Sequence, residues 1–446
     1  MKEIAVSTTD TQGGASMLFP DEPLKQKLIR NGFRLYFFSF IVAPTGYIIK
    51  VIASRELSVE DIGIFYSMLG IISLIATYSD LGLTEAMQYF LPHYFIDKDH
   101  KKAKSMLSFV LLSQLVSSAL IIVVLLFIAP WLAAHYFQSP LALPLLRLFC
   151  IYFLVINVFQ MIQSLFIATQ KVKRSQGIEG IRMRSIVLFA VLGWQLDVFT
   201  LNTFMIYRLA GLIVSTIIGA FIMRKQFGWL REYKATYDKA LIKKRFGYAF
   251  RVIIGTNATI LLTQIDQQFA LYFFGAESAW YRTNYLTLFN SISVICTPLI
   301  GYLFPLLNEL QKKNEHEKIK LLNKMLYIAF FGIGTALGMI AYFRWPEAAV
   351  LLFGEKFRFS WELFAVSAPF LRLVPIMGIQ FQNLASHGKV KQRVLLLVIG
   401  VVVNCVVSLI LMRSMGIVGI IYGTACGQLA AIIGSIIVQR RTKHLP

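Results

Sequence analysis

Residues 392–412 read QRVLLLVIGVVVNCVVSLILM, and from Val394 to Met412 no charged side chain interrupts the run. An α-helix rises about 1.5 Å per residue, so roughly 20 mostly apolar residues cross a hydrocarbon core of about 30 Å. The stretch has no period-2 alternation, which argues against a membrane β-barrel. Working outward from it, comparable runs fall near 33–53, 61–83, 104–130, 141–169, 180–196, 200–223, 247–274, 280–308, 320–343, 361–386 and 415–438. The weakest is 180–196, which starts among Arg182 and Arg184. The expected fold is an all-α polytopic membrane protein of about twelve transmembrane helices.

Composition agrees. Of 446 residues, 57% are hydrophobic and 15% charged, and mean hydropathy is +0.65. A water-soluble domain cannot cover that much apolar surface. The net charge of +21 would suggest nucleic acid in a soluble protein, but here the bases lie between the spans. Of the 44 Lys and Arg, 32 fall at the N-terminus and on even-numbered connections, against 6 on odd-numbered ones. Basic connections stay cytoplasmic, so both termini are expected there, and no nucleic-acid partner is expected. One helix too many or too few would scramble this alternation. Cys150, Cys296, Cys405 and Cys426 sit in apolar stretches without metal-ligand spacing, and the six histidines are scattered. No Gly-x4-Gly-Lys-Ser/Thr loop is present, so nucleotide hydrolysis by that route is excluded.

The second half repeats the first. Ala129-Pro130-Trp131-Leu132-Ala133-Ala134 returns as Trp345-Pro346-Glu347-Ala348-Ala349, and Gln170-Lys171-Val172-Lys173 returns as Gly388-Lys389-Val390-Lys391. Arg34 and Arg251 each open a half. Six spans per half insert the two halves the same way up, and parallel repeats of this kind place a transport site at their interface. The expected division is a disordered cytoplasmic tail (1–30), an N-terminal six-helix lobe (31–223), a basic cytoplasmic linker (224–246), a C-terminal six-helix lobe (247–439) and a cytoplasmic tail (440–446).

The segment Glu60-Asp61-Ile62-Gly63-Ile64-Phe65-Tyr66, the Asp80-Leu81-Gly82-Leu83 turn and Leu351-Leu352-Phe353-Gly354-Glu355 resemble the polysaccharide flippases of the MOP (multidrug/oligosaccharidyl-lipid/polysaccharide) superfamily. The resemblance covers nearly the whole chain in length and span number, although its motifs are short. It implies two pseudo-symmetric six-helix bundles around a central cavity, in a bacterial inner membrane. It also implies alternating access that moves an undecaprenyl-diphosphate-linked glycan for O-antigen or lipopolysaccharide assembly, with polysaccharide polymerase machinery as a partner. The alternative is an ion-coupled multidrug or small-molecule exporter of the same superfamily. Neither is an enzyme.

A flippase needs fixed cations for phosphate and amides for sugar. A cation in mid-span costs about 2.5–3.5 kcal/mol on insertion scales, so it should face water or a partner. Arg372, in the middle of the tenth span, is the foremost candidate, with Gln380 and Asn383 expected on the same face. The related fourth span offers Arg147, Asn157 and Gln160. Arg208 could serve the cavity or pair with Asp197, and Arg34 and Arg251 would guard the cytoplasmic mouth. Asp266, on a seventh-span stripe with Thr256, Thr259 and Thr263, is the candidate for coupling to H⁺ or Na⁺; its competing role is to neutralise a cavity arginine.

Overall fold

The computed structural model describes residues 45–169, 171–235, 264–276, 315–355 and 360–442, with a few isolated positions between. Among them every regular element is helical. In chain order these are α1 (45–56), α2 (Val59–Ser79), α3 (Leu83–Ile96), α4 (His100–Trp131), α5 (Ala142–Ala168), α6 (Val172–Gln195) and α7 (Leu201–Phe227). They continue with α8 (264–276), α9 (His316–Phe353), α10 (Ser360–Ser367), α11 (Leu373–Ser386), α12 (Val390–Met415) and α13 (Ile417–Thr442).

Eight stretches of these helices are long and apolar enough to cross a membrane. They match the second, third, fourth, sixth and ninth to twelfth expected spans. Much of the first, seventh and eighth lies outside the described residues. The fifth is α6, which begins at Val172 rather than 180, so Glu179 and Arg182 stand two to three turns inside a helix. The N-terminal bundle also runs past its expected end at 223. α7 continues to Phe227, and a 3₁₀ turn follows over Gly228–Glu232.

Local chemistry sets the boundaries. The second span stops where Leu81 and Gly82 turn left-handed, at φ 52° and 70°. Asp80 fixes that turn by accepting the Gly82 N–H at 2.7 Å, and α3 then departs as a separate helix. Asp99 caps α4 by accepting the Lys102 N–H at 3.0 Å, and Thr200 and Thr203 cap α7 reciprocally. α12 and α13 turn on Gly416 alone, at φ 60°. They pack so closely that a Cβ on Gly427 would lie 2.5 Å from the Gly400 carbonyl oxygen, the close approach that small residues permit between membrane helices.

The surface differs from that of a soluble protein. Leu112, Val116, Leu120, Val123 and Phe127 run exposed along α4, a stripe suited to lipid. Aromatic side chains fill the interior: Phe65, Phe149, Phe153, Phe166 and Phe204 are fully buried. Some polar groups inside tie helices together. Asn157 donates to Ser118 Oγ at 2.8 Å, tying α5 to α4.

Candidate functional site

Two cations lie inside the N-terminal bundle. Lys50 on α1 is 9% exposed and lies over the Tyr66 ring, 5.0 Å from its centroid. Its charged neighbour is Arg208 on α7, whose guanidinium covers Phe65 at 5.5 Å and Phe204 at 5.9 Å. Arg208 Nε is buried with no hydrogen-bond partner among the described residues. No ion pair joins Arg208 to Asp197, which stands exposed at a left-handed turn. Aromatic faces attract a cation, but they do not neutralise it. Deeper in the bundle, Arg182 is neutralised: it pairs with Glu179, which also accepts from Gln163 at 3.2 Å.

The C-terminal bundle holds the complementary feature. Asp266 on α8 is fully buried. Asn404 on α12 donates to its Oδ1 at 2.8 Å, and the Thr424 hydroxyl on α13 donates to its Oδ2. Ser408 supports Asn404 at 3.0 Å, and Thr424 Oγ1 also lies 3.1 Å from the Ile420 carbonyl oxygen. Three helices thus converge on one carboxylate, which accepts from an amide N–H of Asn404 and from the Thr424 hydroxyl.

Other expected site residues are dispersed. The tenth span is not continuous, because Pro369 lacks an N–H and the chain makes a 3₁₀ turn over Ala368–Phe370. Arg372 therefore sits at the start of α11 rather than mid-helix. Its Nε donates to the Pro369 carbonyl at 2.8 Å and its guanidinium lies over Phe331 at 4.6 Å. It lines a cavity of about 390 Å³ between α9 and α10–α11, with Gly334, Thr335, Gly338 and Tyr342. Gln380 and Asn383 do not join it. Gln380 accepts from Gln439 at 2.7 Å, and Asn383 exchanges amide hydrogen bonds with Asn323 at 3.1 Å. Asn157 is a packing residue, while Gln160 and Arg147 are exposed on α5. Arg34, Arg251, Thr256, Thr259 and Thr263 lie outside the described residues.

Sequence reasoning missed Lys50, Asn404 and Thr424. Lys50 and Asn404 each interrupt an otherwise apolar run, Tyr47-Ile48-Ile49-Lys50-Val51 and Val401-Val402-Val403-Asn404. A polar group in such a run must find a partner inside, and that signal could have found both.

The two halves touch on the side where α1 turns into α2. Gln267 donates to Ser67 Oγ at 3.2 Å, and Gln268 donates to the Ser67 carbonyl at 3.3 Å. The Tyr136 hydroxyl donates to Gln268 Oε1 at 2.8 Å, and Arg55 donates to the Leu351 carbonyl at 2.6 Å. Gly63 admits the end of α8, since a Cβ there would lie 1.8 Å from the Ala276 carbonyl oxygen.

The family model described as "Polysaccharide biosynthesis protein" matches residues 28–311, well over half of the chain. The chain belongs to that family. An uncharacterized membrane protein of Methanocaldococcus jannaschii is 22% identical over 404 residues, covering 87% of this chain and 79% of that one. Among solved structures, an inward-facing multidrug resistance MATE transporter of the MOP superfamily superposes with a TM-score of 0.74 at 13% identity, over 92% of this chain and 94% of that one. An outward-facing MATE structure gives 0.62 at 13% identity, over 95% and 99%. A Pyrococcus furiosus MOP transporter, whose binding pocket is described as reversed in polarity, gives 0.66 at 13% identity, over 94% and 96%. This member of the polysaccharide biosynthesis family thus carries the multi-pass, two-bundle MOP transporter fold, and the inter-bundle contacts above close it on the α1–α2 loop side.

Proposed function

We propose that this chain is a flippase. It carries a polyprenyl-diphosphate-linked oligosaccharide repeat unit from the cytoplasmic to the outer leaflet of a bacterial inner membrane, by alternating access of its two bundles. The observation that carries the reading is Arg208. Its Nε is buried without an acceptor among the described residues. A buried guanidinium nitrogen without an acceptor costs energy unless an anion visits it. A diphosphate is such an anion, and the buried Phe65 and Phe204 rings support the guanidinium that would meet it. The Pyrococcus neighbour, described as having reversed pocket polarity and a different function, is a precedent for a MOP fold serving other cargo than the multidrug exporters.

Asp266 supplies the driving step in this reading. Proton or Na⁺ binding at the Asp266–Asn404–Thr424 cluster would bias the packing of α8 against α12 and α13, and α8 is also the helix that contacts α2. Multidrug export is the second reading. It is favoured by the similarity to the inward-facing multidrug transporter and by Glu85 on α3, whose Oε2 is buried without a hydrogen-bond partner among the described residues; against it stand the Arg208 and Lys50 cations of the same bundle.

Lipid mass spectrometry after depletion of the protein from its native host tests the proposal. Accumulation of a polyprenyl-diphosphate oligosaccharide whose sugar is shielded from outside is the expected result. Complementation by the Arg208→Gln variant should fail at unchanged protein level. No accumulation, in a host without a second flippase, turns the assignment to small-molecule export.

A further inference from the structure

A second cavity, of about 400 Å³, lies at the opposite end of the N-terminal bundle from the α1–α2 loop, where α3, α5 and α7 all terminate. Pro92, Phe95, Ile96, Ala168, Phe227 and Trp229 form its apolar walls, while Lys171, Thr169 and Gln226 supply the polar side. The walls are preformed. Phe95 stacks on Phe227 at 6.1 Å, and the Trp229 indole is held edge-on by His100 at 4.7 Å and by Tyr233 at 6.0 Å. The Trp229 N–H is already used on the Gln226 carbonyl at 3.0 Å.

Lys171 is the unusual member. Its Nζ lies over the Phe227 ring at 4.4 Å, and its hydrogen-bond acceptor is a neutral amide, Gln226 Oε1, at 3.0 Å. No carboxylate pairs with it among the described residues. Burial, followed by repulsion from Arg174, lowers its ammonium below the ordinary lysine value. Lys173 and Arg174 are exposed beside it. The helix C-termini themselves offset part of the positive charge, but a side-chain anion is missing from an otherwise built pocket.

We infer that this pocket binds the phosphodiester headgroup of an anionic phospholipid in the leaflet that the basic connections face, which the loop-charge rule makes the cytoplasmic one. The depth fits: the cavity lies at the helix ends, at headgroup level, where amphipathic aromatics gather. The rim fits as well, because Ile96 is 73% exposed and Trp229 38%, leaving an apolar ramp for acyl chains below the lysine. A fully water-soluble phosphate would gain nothing from that ramp. Basic pockets between spans on this side of a membrane are a recurrent headgroup site. The site lies at the other end of the bundle from Lys50 and Arg208 and does not depend on what the protein transports.

The test is native mass spectrometry of the full chain in detergent, titrated with phosphatidylglycerol or with phosphatidylcholine of the same acyl chains. The wild type should retain phosphatidylglycerol preferentially. Lys171→Gln should weaken that retention about fivefold, as expected for losing one basic contact at the surface, and Lys171→Arg should keep it. Arg174→Gln, an exposed change that leaves the packing intact, should weaken it in the same direction. Excess glycerol phosphate should not compete. Equal retention of the two lipids by the wild type, an unchanged preference in Lys171→Gln, or displacement by glycerol phosphate would each overturn the assignment.

Discussion

Replacing Gly63 by alanine should spring the contact between the two bundles. The added Cβ would sit 1.8 Å from the Ala276 carbonyl oxygen, whereas ordinary van der Waals contact begins at 3.4 Å. The obstacle is backbone, so no side-chain rotation relieves it, and α2 and α8 must separate by about 1.5 Å at that level. The Ser67 hydrogen bonds from Gln267 and Gln268 are already 3.2 and 3.3 Å long and would not survive such a shift. Each contributes a net 0.5–1.5 kcal/mol in general, and overpacking costs about 1–3 kcal/mol, so the closed arrangement loses roughly 3 kcal/mol or more. That is about a hundredfold change in the ratio of closed to open forms. Ser67 is fully buried and therefore reports the opening. A Ser67→Cys probe, in a chain whose native cysteines are replaced, should resist a membrane-impermeant maleimide added outside. The same probe with Gly63→Ala should label readily. Equal labelling rates in the two backgrounds, with both proteins inserted and folded, would refute the idea that this contact holds the α1–α2 loop side shut.

Two further outcomes are expected. Asp266→Asn should remove the dependence of transport on an imposed H⁺ or Na⁺ gradient while leaving substrate binding intact, because Asn404 and Thr424 can still bond the amide; gradient-dependent uptake in proteoliposomes, compared with equilibrium binding, checks this. Asp99→Ala should cost about 1 kcal/mol of local helix stability at the start of α4, read as faster hydrogen exchange at Lys102 and Ala103. The side chain and backbone N–H of Lys102 hold the Asp99 carboxyl below its ordinary value of 3.8. The cap is therefore fully present at neutral pH, and in the wild type exchange at these positions should rise only as the pH falls below that range.

The membrane spans were legible because bilayer thickness imposes a length on apolar runs, and loop charge checks the count independently. Turn chemistry was legible in part. Asp80-Leu81-Gly82 was quoted for its likeness to a family motif, yet its physical consequence, a break that frees α3 as its own helix, went unread. The onset of α6 was misplaced because hydropathy treats Glu179 and Arg182 as loop charges. Paired with each other, they cost far less inside a helix than hydropathy assigns them.

The candidate site was less legible, and Arg372 shows why. Its distance in sequence from Gln380 and Asn383 assumes unbroken 3.6-residue periodicity, and the turn at Ala368–Phe370 rotates the arginine out of that register. Pro369 stood in the sequence, but a proline says that a helix is interrupted, not toward which neighbour the freed segment turns. The amides fail for a related reason. A buried amide must be satisfied, and satisfaction by another amide is as good as satisfaction by a sugar. Gln380 found Gln439, and Asn383 found Asn323. Arg208 and Asp266 withstand this filter differently. Asp266 collects donors from two other helices, and Arg208 keeps a buried nitrogen without an acceptor among the described residues. Polar side chains inside a span are thus only an upper bound on a transport site. The residues proposed to function are those whose valence the fold leaves open or gathers from several helices, and that property belongs to tertiary packing rather than to sequence spacing.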